Sequence, residues 1–314
     1  AAVDAGSVYV FELSGGDPTL PVATLNDPGP VTNDRFGTSV AISGIRAVVG
    51  VPLDDTGAID AGSAYVYELS GATPTLPVAT LNNPDPGAND QFGQAVAISG
   101  PLVVVGAFLN DAGAVDAGSA YVFDISSGTP MVPVAILNNP APDAGDEFGR
   151  SVAISGTRVI VGAHRDDTGA SDAGSSYVYD LSSGTPTVPI ATLNNPGPAS
   201  NDHFGFSVAI SGMRVVVGAY MDDSGATDAG SAYVYDLSSG SPTTPVLMLN
   251  NPSPASNDQF GYNVAVSGMR VVVGTPQNDV GGTDSGTAYV YEIAGGAPMV
   301  PVVTLDNPGP ATGD

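Results

Sequence analysis

The feature that most constrains this chain is an internal repeat of 56 residues that no insertion or deletion interrupts. A Phe-Gly pair marks the repeat and begins at Phe36, Phe92, Phe148, Phe204 and Phe260. An Asp-Ala-Gly or Asp-Ser-Gly triplet has the same spacing and begins at Asp4, Asp60, Asp116, Asp172, Asp228 and Asp284. A constant period indicates that each unit folds as one supersecondary structure and packs against a neighbour of the same kind.

One unit predicts four short strands, at residues 39–42, 46–51, 63–69 and 78–81 of the second copy. β-Branched and aromatic residues dominate these segments, and no helical period is present. Ser43 and Gly44 form a tight turn signal, whereas the other connections are longer and rich in Asp, Gly and Pro. We therefore expect a four-stranded antiparallel meander from each unit.

The distribution of side-chain sizes favours a β-propeller. The first two strands are apolar with interspersed Gly, Ala and Ser, as in strands crowded near an axis, and the third carries ten of the 12 tyrosines. We predict one domain over residues 1–314, with partial units at both ends. The 22 predicted strands make either a six-bladed ring that lacks one strand pair or five blades plus a hairpin. An open solenoid fits the period equally well.

Charge and composition exclude several classes of partner. The chain has 32 acidic residues against seven Arg and no Lys, and its net charge of −25 repels nucleic acid and anionic lipid. No apolar run is long enough to insert into a membrane. There is no Cys, which excludes disulfides and thiolate ligands. The composition indicates an exported protein, secreted or held at the cell surface.

Three sequence motifs resemble a known family. They read Phe-Gly-x-Ser-Val-Ala-Ile-Ser-Gly from Phe36, Val-Val-Val-Gly-Ala from Val103 and Gly-Ser-Ala-Tyr-Val-Tyr from Gly62. Together they resemble the FG-GAP repeat, which builds the propeller heads of integrin α subunits and many bacterial surface proteins. Five copies and a partial sixth cover the whole chain. The resemblance implies an extracellular β-propeller for adhesion or ligand binding, often with bound calcium.

The chain departs from the integrin-type repeat at the calcium loop. That loop lies between the first two strands, where this chain has only Ser43 and Gly44. Ca²⁺ would have to bind elsewhere, and the acidic loop 54–60 offers three carboxylates in seven residues. The predicted metal ligands are Asp55, Asp60, Asp111, Asp116, Asp167, Asp172, Asp223, Asp228, Asp279 and Asp284. The alternative is structural: Asp60 closes a turn before the third strand, and Asp54 and Asp55 are solvated.

Four arginines at the start of the second strand predict cross-strand ion pairs. In an antiparallel hairpin each Arg faces the acid that ends the third strand. The predicted pairs are Arg46–Glu68, Arg158–Asp180, Arg214–Asp236 and Arg270–Glu292. Exposed pairs of this kind stabilise a fold by about 0.2–1 kcal/mol each, so their role is structural.

Three places in the repeat differ between copies: the residues after the second strand, and those immediately before and after the Phe-Gly pair. In an antiparallel meander the Asp-Gly loop and the Asn-Pro loop share one face, which is therefore acidic, and the three variable places lie on or near this face. Changing residues on a constant frame are typical of a binding surface, although neutral drift gives the same pattern. The candidate ligand-binding residues are Phe108, His164, Tyr220 and Tyr262.

Catalysis finds little support in the sequence. Only His164 and His203 are present, no nucleophile or phosphate motif occurs, and the acids repeat from copy to copy. Glu147, Arg150, His164 and Arg165 form an unusual charged set, interpreted as a chance grouping. We predict a non-enzymatic protein that binds a cell-surface protein or glycan. The alternative is a structural spacer or filament module that self-associates through its incomplete repeats.

Overall fold

The computed structural model describes residues 3–14, 17–71, 73–280, 282–293 and 300–309. These residues form β-strands, turns and loops, with no helix among them. Accordingly, no membrane-spanning helix is found in the described part of the chain. The chain separates into two compact units, of which unit 1 contains residues 1–144 and 148–150 and unit 2 contains residues 145–147 and 151–314.

The described residues of unit 1 form ten strands. They are β1 (Ser7–Phe11), β2 (Pro21–Asn26), β3 (Ser39–Ser43), β4 (Arg46–Val51), β5 (Ser63–Glu68), β6 (Pro77–Asn82), β7 (Ala95–Ser99), β8 (Leu102–Ala107), β9 (Ser119–Asp124) and β10 (Pro133–Asn138). Strands β3–β6 and β7–β10 form four-stranded antiparallel sheets in chain order, and β1 and β2 form a two-stranded sheet.

Twelve strands lie within the described part of unit 2. They are β11 (Ser151–Ser155), β12 (Arg158–Ala163), β13 (Ser175–Asp180), β14 (Ala191–Asn194), β15 (Phe204–Ser211), β16 (Arg214–Ala219), β17 (Ser231–Asp236), β18 (Leu247–Asn250), β19 (Asn263–Ser267), β20 (Arg270–Thr275), β21 (Thr287–Glu292) and β22 (Val303–Asp306). They form three antiparallel four-stranded sheets, again in chain order.

The predicted architecture of the repeat is confirmed. Each four-stranded sheet is a meander of the propeller-blade type, and the described residues contain the 22 predicted strands. The observed strands of the second copy differ from the predicted ones by one residue or less at each end. Closure of a ring, the number of blades and the single domain over residues 1–314 stay predictions.

Neighbouring sheets within each unit pack through the middle of their strands. In unit 1, Val48 and Val66 of one sheet share a buried cluster with Val96 and Ile98 of the next. In unit 2, Ile160 and Val178 pack in the same way on Val208 and Ile210. Each buried aliphatic side chain at these contacts stabilises the fold by roughly 1.5–3 kcal/mol, so the stacking of neighbouring sheets contributes to the stability of the repeat.

The Phe-Gly phenylalanine packs against the aromatic residues of the third strand. The Phe36 ring lies 6.1 Å from the Tyr65 ring and 6.4 Å from the Tyr67 ring, between ring centroids. The same pairs recur at Phe92, Phe204 and Phe260. The aromatic residues of the third strand therefore have a specific packing partner, the phenylalanine of the Phe-Gly pair.

The four predicted cross-strand ion pairs are present. Arg46, Arg158, Arg214 and Arg270 face Glu68, Asp180, Asp236 and Glu292 in the strand register. Their closest nitrogen–oxygen distances are 3.9, 3.8, 3.9 and 3.1 Å, in that order. Each pair joins two strands of one sheet, and Arg214 also donates a hydrogen bond of 3.3 Å to the Gly268 carbonyl oxygen of the next sheet.

Candidate functional site

Five aromatic side chains from three consecutive copies of the repeat meet in unit 2. We call them the aromatic cluster: His164, His203, Phe206, Tyr220 and Tyr262. His164 and Tyr220 directly follow β12 and β16, the second strands of their sheets. His203 and Phe206 flank the Phe204-Gly205 pair, and Tyr262 precedes β19. Because the sheets stack in chain order, these strand ends come together although they are up to 98 residues apart, from 164 to 262.

The rings of the aromatic cluster form a continuous chain of contacts. Centroid distances are 5.2 Å for His164–His203, 5.3 Å for His164–Phe206 and 4.6 Å for Phe206–Tyr220. His203 stacks nearly parallel on Tyr220 at 5.5 Å and 12°. Tyr262 lies 4.9 Å from Phe206. Such aromatic pairs are worth about 0.5–1.5 kcal/mol each beyond the burial of their surface.

Charged groups border the aromatic cluster on the His164 side. The Glu147 carboxylate lies 3.6 Å from His164 Nε2 and 3.2 Å from Arg165 Nη1. His203 Nδ1 lies 3.3 Å from the His164 carbonyl oxygen. Burial lowers the pKa of His203, so this imidazole is neutral at neutral pH. The site therefore combines aromatic surface, one carboxylate and one guanidinium.

Solvent reaches only part of the aromatic cluster. His164, His203 and Tyr220 are buried, whereas Phe206 and Tyr262 are half-buried. The Arg165 side chain is exposed and the Glu147 carboxylate is largely covered. A ligand at this place would touch Phe206, Tyr262 and Arg165 first, with the buried rings holding them in position.

The structure brings three of the four predicted ligand-binding residues together. His164, Tyr220 and Tyr262 belong to the aromatic cluster, but Phe108 does not. Phe108 lies in unit 1, where the Arg150 guanidinium stands 5.4 Å from its ring centroid. Binding of a ligand by these four residues stays a prediction.

Sequence reasoning did not select His203, Phe206 or Glu147 for the site, although all three occupy positions that vary between copies. The missing step was to combine variable positions from successive copies. The residue that follows the second strand of one copy contacts the residues on either side of the Phe-Gly pair of the next copy, as His164 contacts His203 and Phe206. Glu147, His164 and Arg165 of the unusual charged set are also in mutual contact.

The predicted metal ligands have defined structural partners. Asp55 Oδ1 accepts a hydrogen bond of 3.0 Å from the Asp60 N–H, and the other four copies repeat this contact. Asp60 has a positive φ of 52°, and the hydrogen bond from its N–H to the Asp55 carboxylate helps to hold this backbone conformation. Asp54 is buried rather than solvated and accepts a hydrogen bond from the Tyr65 hydroxyl.

These contacts leave a calcium ion few side-chain ligands. No group of three or more His, Asp or Glu side chains in the described ranges is arranged to hold a metal ion. The Asp55 and Asp60 carboxylates would need main-chain carbonyls and water to complete six to eight oxygens. Calcium binding at the acidic loops stays a prediction.

The calcium prediction has a direct test in thermal unfolding. If the loops bind Ca²⁺ with the affinity of extracellular modules, 1 mM calcium adds about 1 kcal/mol of stability per occupied loop. We expect a higher Tm in calcium than in excess EDTA, and a smaller rise with magnesium as the control. The Tm would be the same in EDTA and calcium if the loops bind no ion.

A buried amide–carboxylate network supports the loop between successive copies. Asn83 Nδ2 donates to Asp90 Oδ2 at 2.6 Å. Asn195 with Asp202 and Asn251 with Asp258 repeat this bond at 2.7 and 2.6 Å. The amide supplies the donor that a buried carboxylate requires.

The first copy of this network has an aspartate in place of the asparagine. Asp27 is buried, and its Oδ2 has no hydrogen-bond partner among the described residues. Burial, together with the charges of Asp34 and Asp54, raises the pKa of Asp27 to about 6. Asp27, Asp34 and Asp54 thus bring three carboxyl groups together. The equivalent three positions of the other copies carry at most two carboxyl groups.

In unit 2 the corresponding loops enclose a pocket of about 360 Å³. Asp202, Asp222, Asp223 and Tyr233 contribute to its lining. Asp222 accepts hydrogen bonds from the Ser224 N–H and from the Tyr233 hydroxyl. Burial raises the pKa of Asp202, and the nearby Asp222 and Asp223 add to this effect. The acids that line this pocket thus have structural partners.

Comparison with known proteins identifies the repeat. The model of the FG-GAP repeat family matches residues 21–67, 77–123, 135–179, 190–235 and 252–291. No curated protein matches the sequence. Among solved structures, the crystal structure of the computationally designed Ika8 protein is similar, with a TM-score of 0.57 and 16% identity. The similarity covers 99% of this chain and 72% of that one, and it supports the fold alone.

Proposed function

Because the chain belongs to the FG-GAP repeat family, we propose that it is a non-enzymatic binding protein of the cell surface or extracellular space. The family supports a ligand-binding or structural role, and its repeats are typical of extracellular or surface proteins. The observation that carries the proposal is the aromatic cluster. It is built at positions where the copies differ, and it lies beside the Glu147–Arg165 ion pair.

The chemistry of the aromatic cluster suits a sugar ring. Phe206 and Tyr262 offer partly exposed aromatic surface on which the apolar face of a sugar can pack. Arg165 and Glu147 supply a donor and an acceptor for hydroxyl groups. The net charge of −25 disfavours polyanionic glycans, so a neutral glycan is the favoured ligand class.

A binding role also accords with the use of the acidic residues. Asp55 and its equivalents accept a hydrogen bond from a backbone N–H in all five acidic loops, and Asp166 and Asp222 each accept one from a tyrosine hydroxyl. An active site requires a unique arrangement, whereas these contacts recur with the period of the repeat. Both histidines of the chain, His164 and His203, are buried in the aromatic cluster.

The proposal predicts loss of glycan binding when the accessible rings are removed. A glycan array would identify the bound glycan, and titration would compare the wild-type chain with the Phe206→Ala/Tyr262→Ala variant. Each lost ring contact of about 0.5–1.5 kcal/mol weakens binding about 2- to 10-fold, so the double variant should bind about 5- to 100-fold more weakly.

The matched control is Val188→Ala, which removes an exposed apolar side chain of the same unit away from the aromatic cluster. This variant should bind like the wild type, and circular dichroism should show all three chains folded. Equal binding by the double variant, or an array without any bound neutral glycan, would reject the glycan proposal.

A structural role within a repetitive surface protein is the second candidate. The observation that favours it is the regularity of the repeat, since the units follow one another every 56 residues without an insertion or deletion. Units of this kind stack on neighbours of the same kind in long arrays.

A further inference from the structure

The fourth strand of each four-stranded sheet has one paired and one open edge. Strand β10 pairs with β9 on one side, and none of the described strands pairs with its other side. Because β10 completes a four-stranded sheet inside the chain, the repeat itself supplies no further strand for this edge. The backbone N–H and C=O groups of an open edge can pair with a strand of another molecule.

Apolar side chains are exposed along the β10 edge and in the turn before it. We call them the β10 patch: Met131, Val132, Val134 and Ile136, which are 63%, 58%, 54% and 44% exposed. In the strand they alternate with buried residues, so Val134 and Ile136 lie on the same side of β10. Apolar residues concentrated on an exposed edge strand are typical of a site of association.

The other copies of the repeat show that the fold does not require this apolar surface. Met131 and Ile136 occupy positions that four of the other five copies fill with threonine. At the first position these are Thr19, Thr75, Thr187 and Thr243, and at the second Thr24, Thr80, Thr192 and Thr304. Two apolar side chains therefore distinguish β10 from its equivalents, at places where threonine gives the same strand.

The distribution of charge favours a second copy of the chain as the partner of this edge. Residues 126–142 contain no charged side chain, although the chain has 32 acidic residues and a net charge of −25. Two copies repel each other wherever acidic surfaces meet, and uncharged edges can approach without that repulsion. A partner with a basic surface would instead be attracted to the acidic parts of the chain.

We propose that β10 is a self-association edge, at which two copies of the chain pair antiparallel, β10 with β10. Antiparallel pairing of two identical edges gives a closed twofold dimer, in which each copy covers the β10 patch of the other. Two strands of six residues bury less than the roughly 1,200 Å² of a stable interface, so we expect a Kd of about 1–100 μM. This surface is separate from the aromatic cluster, and the inference does not depend on glycan binding.

Sedimentation equilibrium of the full chain tests the dimer and its location. The wild type should show a monomer–dimer equilibrium, and the Met131→Thr/Ile136→Thr variant should dimerise at least about tenfold more weakly. Each substitution acts twice in a twofold interface, and threonine at these positions is already present in folded copies of the repeat.

The matched control is Leu76→Thr, which makes the same kind of change beside the outer strand β6, where Leu76 is the equivalent of Val132. This variant should dimerise like the wild type, and circular dichroism should show all three chains folded. A wild type that stays monomeric up to about 200 μM, or equal dimer affinities of the two variants, would overturn the proposal.

Cross-linking tests the same contact with a different readout. Since the chain has no Cys, Val134→Cys introduces a single thiol at the β10 patch, and Val78→Cys introduces one at the equivalent, similarly exposed position of β6. A short bis-maleimide should give at least about fivefold more covalent dimer with Val134→Cys than with Val78→Cys, because the dimer holds the two thiols near each other. Equal yields from the two variants would contradict pairing through β10.

Discussion

Replacing Gly218 with alanine is expected to lower the free energy of unfolding by about 3 kcal/mol or more, while Gly274→Ala lowers it by less than about 1 kcal/mol. The two glycines occupy the same position of the repeat, in β16 and β20. A Cβ atom on Gly218 would lie 2.0 Å from the Gly261 carbonyl oxygen of the next sheet. A Cβ atom on Gly274 meets no atom closer than 3.6 Å.

Comparison of Gly218→Ala with Gly274→Ala separates the effect of sheet stacking on stability from the effect of strand propensity. Both glycines follow an Arg-Val-Val-Val segment, and neither has the positive φ that favours glycine. The gain in strand propensity from alanine is therefore similar at both sites, and the difference reports the approach of two backbones. Gly106→Ala repeats the test in unit 1, where the Gly149 carbonyl oxygen would lie 2.0 Å from the new Cβ.

Urea unfolding followed by circular dichroism measures the three changes in stability. Gly218→Ala and Gly106→Ala should shift the transition to much lower urea, and Gly274→Ala should stay close to the wild type. Equal shifts for Gly218→Ala and Gly274→Ala would show that the close approach between sheets does not limit stability.

The repeat made the sheets predictable because the strands assigned in one 56-residue unit apply to every copy. The strand at 46–51 and the pairing of Arg46 with Glu68 both follow from antiparallel hairpin geometry, and the structure confirms them. Alternation and turn signals need only local sequence, so they give the strands and their register within a sheet.

Contacts between sheets were harder to predict than contacts within them. His164, His203 and Tyr262 come from three copies, and their meeting depends on how far each sheet is rotated from the next. Hairpin geometry does not contain that rotation. The sequence did show which positions vary, so it selected three members of the aromatic cluster, but it did not select His203 or Phe206 and it did not show that the five side chains meet.

The sequence also did not predict which individual loop residues are buried. Asp54 was expected to be solvated in the structural interpretation of the acidic loop, yet it is buried under Tyr65. Its partner lies in the next strand, eleven residues later. The alternation of two adjacent acids gives no indication of which one faces inward, and only the path of the loop decides it.

Asp27→Asn is expected to stabilise the chain at pH 8 and to have little effect at pH 4. In the folded chain burial raises the pKa of Asp27 to about 6, above the usual value of 3.8. The folded state therefore holds an extra proton between about pH 4 and pH 6, and stability is lost as the pH rises through this range. Above it the buried carboxylate costs about 2–3 kcal/mol, a cost that the neutral amide removes.

The asparagines of the other copies show why the amide should fit. Asn83 donates to Asp90 at 2.6 Å, and only a protonated Asp27 can give Asp34 the same kind of hydrogen bond. Asn83→Asp is the matched control, since it creates the Asp27 arrangement in the second copy and should destabilise the chain at pH 8 but little at pH 4. Urea midpoints at the two pH values measure both variants. If the Asp27→Asn difference from wild type were the same at pH 4 and pH 8, Asp27 would not carry a proton in the folded chain, and its unpaired oxygen would need another partner.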